Sequence, residues 1–413
     1  MNKKLSLYVA AATIVSAGFV SQAFAAGYEK SIMWGGRSAG VAGIATPYIQ
    51  GSEALYFNPA GLVSDKVGQD VSLNISPTTD QFTAPFQTSA SGTSQASSNH
   101  AMTYPSGLIY GSNYGDRWGF GIGGYASAGN EANYAGAGTA LGPVDVKTSL
   151  QVYELALGGS YKVTDRLKVG LAYRIVMANA AISTVSPIGG TQYQVNATSL
   201  KDTQYNGFKL GAQYKLDDKT LLGLTYRSEV NFKAKGNVQA YPVTSGAAGA
   251  AAAPTGSATV ETTLPMQVTI GSEHDYNETW KSLFEVAWTQ YSRIKTLAIN
   301  TTGITQNWHD QYNVRLGAEY HGWMLPVRFG YGWTNQVTNS SYARPTFTPP
   351  AMAHTLTAGT GYSVAVFGSP LQLDGAVEET FASGNSKNEA AGVTPGKYSV
   401  NEIALHLGAV YAF

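Results

Sequence analysis

Residues Tyr153–Val163 read YELALGGSYKV. The odd positions, Tyr153, Leu155, Leu157, Gly159, Tyr161 and Val163, are apolar with aromatic ends. The even positions, Glu154, Ala156, Gly158, Ser160 and Lys162, are small or charged. Successive side chains of a strand point to opposite faces, so a period of two predicts a strand with one apolar and one polar face. Past Thr164-Asp165-Arg166 the alternation resumes. Leu167, Val169, Leu171, Tyr173, Ile175 and Met177 alternate with Lys168, Gly170, Ala172, Arg174, Val176 and Ala178. Two such runs across a tight polar turn form a hairpin.

The hairpin recurs. Phe208, Leu210, Ala212 and Tyr214 precede a turn at Asp217-Asp218-Lys219, and Leu222, Leu224 and Tyr226 follow it. Met266, Val268 and Ile270 turn near Asp275-Tyr276-Asn277 into Trp280, Phe284, Val286 and Trp288. Tyr312, Val314, Leu316, Ala318 and Tyr320 turn at His321-Gly322 into Leu325, Val327, Phe329 and Tyr331. Between hairpins the linkers are longer and rich in Ser, Thr, Gly or Ala: 87–99, 130–143, 183–199, 241–257 and 335–350. Short turns alternating with long loops are the pattern of an outer-membrane barrel, with the short turns periplasmic. Counted from Val71, about fourteen strands are expected, closing into an antiparallel transmembrane β-barrel over residues 70–413. Closure is required because every backbone N–H and C=O in lipid must be paired.

Composition agrees. Of 413 residues only 13% are charged, acidic and basic side chains balance, and cysteine is absent. A neutral chain is a poor match for nucleic acid, and thiolate metal sites and disulfides are excluded. No cofactor or metal is expected. Lys3 and Lys4, an apolar run from Leu5 to Val20 and Ala23-Phe24-Ala25 read as an export signal over residues 1–25. The mature chain then starts at Ala26-Gly27-Tyr28, and no later apolar run is long enough for a spanning helix.

Residues 26–69 lack the two-fold alternation and are rich in glycine and small side chains. About eight strands already give a barrel that its own side chains can fill. A fourteen-stranded lumen needs a plug or is an open aqueous pore, and this segment is the candidate hatch. Within it, Asn58-Pro59-Ala60 reads locally as a helix start, with Asn as N-cap and Pro in the first position.

Several stretches, in order, resemble the FadL-type outer-membrane transporters of long-chain fatty acids and hydrocarbons. They are the start Ala26-Gly27-Tyr28, SAGVAGIA from Ser38, Asn58-Pro59-Ala60, GLTYRSEVNFKAKGN from Gly223 as a seventh strand, WKSLFEVAWTQYSRIKTL from Trp280 as a ninth, and WHDQYNVRLGAEY from Trp308. The chain departs from the family at Met266 after Leu264-Pro265 and at Ala351 after Pro350, which leaves the ligand subclass open.

The resemblance implies a Gram-negative outer-membrane location and uptake of hydrophobic compounds by diffusion. It makes Asn58, Pro59 and Ala60 part of the hatch that blocks the lumen. It implies that the third strand, WGFGIGGYASAGN from Trp118, kinks inward at Gly119, Gly121, Gly123 and Gly124 and opens a lateral exit. Glycines in a strand also permit close packing or bulges. It further implies an outer ligand-capturing groove at 181–201 and 238–258, and a ligand site between hatch and lumen near Ala26, Gly27 and Tyr28.

Arg174, Arg227, Glu229, Glu285, Arg293, Arg315, Glu319, Arg328, Asp374, Glu378 and Glu402 fall on the expected lumen face. Mixed signs favour internal ion pairs over the single-sign rings of a selective channel. Arg37, Arg174 and Arg227 are candidates to hold a ligand carboxylate. The histidines are His100, His274, His309, His321, His354 and His406, and no nucleophile motif accompanies them, so no enzyme is expected. Expected partners are a hydrophobic small molecule, outer-membrane lipid and lipopolysaccharide, and the barrel-assembly machinery through Phe413 on the aromatic last strand. The barrel is expected to be a monomer. The alternative reading is a general diffusion porin for small polar solutes, narrowed by the N-terminal segment.

Overall fold

The hairpin at Tyr153–Val163 is part of a closed sheet of fourteen antiparallel strands. The computed structural model describes residues 34–65, 68–88, 92–139, 142–188, 191–243, 256–300, 302–387 and 393–413. The export signal and Ala26-Gly27-Tyr28 lie outside the described residues.

The strands run in chain order, and several are built from more than one piece. They are β1 (Gln69–Ile75, Thr78–Gln87), β2 (Thr93–Ser97, Ala101–Thr103, Ser106–Tyr114), β3 (Trp118–Thr139), β4 (Gly142–Lys162), β5 (Leu167–Ile188) and β6 (Thr191–Lys215). Then come β7 (Thr220–Arg227, Val230–Pro242), β8 (Gly256–Leu264, Gln267–Asp275), β9 (Trp280–Thr289, Thr296–Ile299) and β10 (Thr302–Thr305, Gln311–Tyr320). Last are β11 (Val327–Thr334), β12 (Ala351–Val366), β13 (Ser369–Ser386) and β14 (Gly396–Ala412). The barrel closes where β1 pairs with β14, from Asp70↔Ala412 to Ile75↔Leu407 and again from Thr78↔Ala404. The stretches read as a seventh and a ninth strand are β7 and β9.

Burial follows the period of two. Leu155, Leu157, Leu171, Leu210, Leu224 and Phe329 face outward and are exposed, whereas Glu154, Arg174 and Glu319 face inward and are buried. This polarity is that of a lipid-facing wall around a polar lumen. Aromatic side chains crowd the rim of the short turns: Trp118 against Tyr161, and Trp280 against Tyr320, which meets Trp323.

The strands run further than the sequence pattern indicated. Residues 130–143 and 183–199, expected as loops, are mostly the paired outer ends of β3–β4 and β5–β6. Strand β6 alone is 25 residues long, against the 9–11 needed to cross a bilayer. Beyond the lipid no face must be apolar, so alternation fades while hydrogen-bonded pairing continues. Residues 335–350 carry no strand; they fold inward, burying Val337, Ala343 and Phe347.

Residues 34–65 also carry no strand. They form two four-residue helices, α1 (Gly36–Ala39) and α2 (Ala54–Phe57), and a 3-10 turn at Pro59–Leu62. Most of the segment is buried, and its contacts are to inward-facing residues of the wall. Wall glycines make that approach feasible. A Cβ on Gly119 of β3 would collide with Val63 and Leu62, one on Gly170 of β5 with Pro59 and Ala60, and one on Gly330 of β11 with Ala42. Gly121 likewise faces Leu62.

Candidate functional site: the lumen between the N-terminal segment and the wall

The Asn58-Pro59-Ala60 motif is anchored on both sides. Asn58 caps the 3-10 turn by accepting from the Ala60 N–H at 3.2 Å. Its Nδ2 donates to the Thr46 carbonyl at 2.8 Å and to the Ala212 carbonyl of β6 at 3.0 Å. Three hydrogen bonds satisfy a side chain that is wholly buried, as a buried amide requires.

The rest of the segment is held by inward wall residues. Glu285 of β9 accepts from the Thr46 N–H at 3.1 Å and pairs with Arg315 of β10 at 2.7 Å. Thr357 of β12 accepts from the Ala42 N–H at 3.0 Å and donates to the Gly40 carbonyl at 3.2 Å. Asp70 of β1 accepts from the Ser52 N–H at 2.9 Å. Lys168 of β5 donates to the Val63 carbonyl at 3.1 Å and pairs with Asp65 at 2.6 Å. Glu53 accepts from Asn74 of β1 at 3.1 Å, and burial pushes its carboxyl up to about 7.

The inward charges mostly neutralise one another. Arg174 forms a two-pronged pair with Glu154, at 2.8 and 2.5 Å. Arg37 donates to Glu319 at 3.1 and 3.3 Å and lies 4.2 Å over the Tyr48 ring. Burial works against its charge, but Glu319, Tyr48 and Glu273 outweigh that and push the Arg37 guanidinium further above its usual range. Arg328 pairs with Asp374 at 2.7 Å. Glu229 and Arg293 are a correction to the expected lumen set. They pair with each other at 3.1 Å, and Glu229 faces outward with Asn231. Strand β7 is interrupted between Arg227 and Val230, and a break in register flips the face of every residue after it.

Among the described residues, one further buried cluster was not foreseen. Ser76 meets His406 Nδ1 at 2.8 Å, and His406 Nε2 meets Glu378 at 2.9 Å. All three are almost wholly buried in the wall.

A cavity of about 720 Å³, counted with the solvent open to it, lies between the segment and the wall. Tyr56, Phe57 and Thr46 come from the segment, and Tyr125, Ser127, Glu154, Lys209, Arg227, Glu285 and Arg315 from the wall. Of the candidate ligand residues, Arg227 lines this cavity, Arg174 sits behind Glu154, and Arg37 is tied to Glu319 elsewhere. Lys209 was missed. It donates to the Tyr56 carbonyl and stands 5.6 Å over its ring. Its place between Phe208 and Leu210 in the alternation was the available signal.

The cavity reaches the wall where β3 leaves β2. These strands pair from Tyr114↔Trp118 to Gly107↔Tyr125. Further out, the pieces Ala101–Thr103 and Thr93–Ser97 pair with β1, while β3 stays paired with β4. Among the described residues, one backbone hydrogen bond, from Asn99 to Asn133, joins these separated stretches at 2.8 Å. Gly119, Gly121, Gly123 and Gly124 pair in regular register with both neighbours. The register shifts fall beyond them, at Ala126–Ala128 and Tyr134–Ala137. Gly119 and Gly121 instead make room for the N-terminal segment.

The profile of the outer membrane protein transport protein family (OMPP1/FadL/TodX) matches residues 11–413. The chain belongs to this family. Its FadL/TodX membership and closed sheet make it a Gram-negative outer-membrane β-barrel. Among solved FadL/TodX structures, a Pseudomonas aeruginosa FadL homologue superposes with a TM-score of 0.76 at 17% identity, covering 96% of this chain and 100% of that one. The P. putida toluene transporter TodX gives 0.74 at 18% identity, over 92% and 98%. At such identities the likeness is one of fold. The long-chain fatty acid transport protein of Escherichia coli K12 is 25% identical over 248 residues, 49% of this chain and 54% of that protein. The chain thus matches about half the length of this curated relative.

Proposed function

We propose that this chain takes up hydrophobic compounds across the outer membrane by diffusion, with residues 26–69 as hatch and the gap between β2 and β3 as lateral exit. The observation that carries the reading is the position of the cavity. Its floor is the candidate hatch and its rim is Tyr125 and Ser127, the residues at which β3 parts from β2. An apolar molecule leaving there enters lipid directly. Release into the periplasm would cost about 0.8 kcal/mol per CH₂ returned to water.

The cavity lining supports a ligand with an apolar body and an acidic head. Lys209, Arg227 and Arg315 face it against Glu154 and Glu285, beside the rings of Tyr56, Phe57 and Tyr125. Long-chain fatty acids have this chemistry. Neutral hydrocarbons would use the rings alone. Ala26, Gly27 and Tyr28 are assigned to the same site through the family resemblance, and the outer ends of β5–β6 and β7–β8 to ligand capture. Insertion by the barrel-assembly machinery through Phe413, contact with lipopolysaccharide and a monomeric state belong to the same proposal.

Two measurements test it. Cells lacking their own transporter should gain uptake of a long-chain fatty acid or of a monoaromatic hydrocarbon when they express this chain; uptake of both equal to the empty vector sinks the reading. In planar bilayers, removal of residues 26–63 should raise a low ion conductance. A high conductance that the deletion leaves unchanged establishes the porin instead.

A further inference from the structure

Trp34 is 1% exposed, yet none of the contacts that bury it is a hydrogen bond from its indole. The Nε1–H has no partner among the described residues. Buried indole N–H groups usually find an acceptor, and an orphaned one in a native site calls for an explanation. The ring fills a bay in the wall. A Cβ on Gly107 would collide with it, and Gly107 is the last residue of β2 paired to β3, opposite Tyr125. On its other side the indole stacks on Tyr56, with centroids 5.4 Å apart and planes 18° apart, and meets the edge of Tyr125 at 5.8 Å. Both tyrosines line the cavity.

We infer that the Trp34 indole is the partition between the lumen cavity and the wall gap, and that it sets the bulk of molecule that passes. The inference rests on the lateral-exit reading and adds the residue that controls it. Position supports it first: the ring stands behind the cavity aromatics at the root of the gap. Attachment supports it next. The indole is held by stacking and by a glycine-sized bay, without a polar tie to the wall. Its backbone leads straight into α1, and Ser38 of that helix donates to the Trp34 carbonyl at 2.8 Å, so a shift of the hatch carries the ring with it. The unpartnered N–H is a cost carried only by the seated position, and a withdrawal that lets it reach the polar cavity relieves that cost.

The test compares uptake of a long-chain fatty acid with that of a bulky pyrene-labelled analogue, together with bilayer conductance. Trp34→Ala should raise uptake of the bulky analogue relative to the plain acid by about tenfold or more, the scale on which a pocket discriminates by bulk, with conductance unchanged. Gly107→Ala should act in the same direction by evicting the ring, and it carries the test if Trp34→Ala does not assemble into a barrel. Trp34→Phe should stay near wild type. An unchanged uptake ratio in both Trp34→Ala and Gly107→Ala overturns the inference. So does a rise matched by the conductance of the hatch deletion, which would make the indole a mere anchor. Wild-type protein that takes up neither compound removes the fatty-acid transport reading itself, a separate result.

Discussion

Asn58 of the N-terminal segment donates its side-chain amide to the backbone carbonyl of Ala212 on β6, 3.0 Å away. The same amide holds Thr46, so one residue ties two turns of the segment to the wall. Asn58→Ala strands the Ala60 N–H and takes a donor from both carbonyls, of which Thr46 keeps Gln213 at 3.3 Å. Each buried polar group left unpaired costs about 1–3 kcal/mol. The variant should therefore show more frequent or larger ion-conducting openings in bilayers while its barrel remains heat-modifiable on gels. Conductance traces identical to wild type would count against Asn58 as a fastener.

Wall glycines offer a steric version of the same experiment. A Cβ at Gly170 meets the backbone of Pro59 and Ala60, which cannot yield as a side-chain tip can. Gly170→Val should displace the motif and raise conductance severalfold. Gly159 on the neighbouring strand is the control, since its nearest atoms are 3.8 Å away; Gly159→Ala should leave conductance as it is.

Glu285 joins Arg315 to the Thr46 N–H. Removing one partner of a buried ion pair typically costs about 3–5 kcal/mol, because the other charge is left behind. Glu285→Gln should lower the unfolding midpoint in urea and loosen the segment. The double variant Glu285→Gln with Arg315→Met should recover part of the stability. Additive losses in the double variant would show that the two side chains act separately.

The Glu53 carboxyl titrates near 7 rather than its ordinary 4.5 because it is buried. The seated segment thus holds a proton that a displaced one releases. Between about pH 4.5 and 7 the seated state binds more protons, so seating weakens as pH rises through that window and levels off above it. Conductance should be lower at pH 5.5 than at pH 8, and Glu53→Gln should remove the step.

Much of this fold is legible in the chain because lipid imposes a rule on every spanning residue. Leu155 and Leu157 must face out, so the alternation is plain. The outer ends of β3 to β6 escaped because beyond the lipid no face is constrained. Glu229 and Arg293 were misplaced for a related reason: the interruptions at 228–229 and 290–295 shift the period without any marker residue. The site was harder. Arg174 and Arg37 look like ligand cations until their partners are seen, Glu154 across the same hairpin and Glu319 at the far end of the chain. The break between β2 and β3 lies past the conspicuous glycines, at Tyr125 and Ala126, where no residue type announces it.

The contacts of the N-terminal segment also bear on the order of assembly. Gly36 packs against Asp374 of β13, and a Cβ on Gly408 of β14 would come within 2.9 Å of its N–H. Ser52 and Glu53 are bonded to Asp70 and Asn74 of β1. The segment therefore touches both edges of the β1–β14 seam, the first and last strands to leave the ribosome. A seam zipped before the segment has entered would leave the glycine belt facing an empty lumen. A segment threaded before closure would be clasped from both sides as the seam zips, so that release of the segment and opening of the seam are coupled.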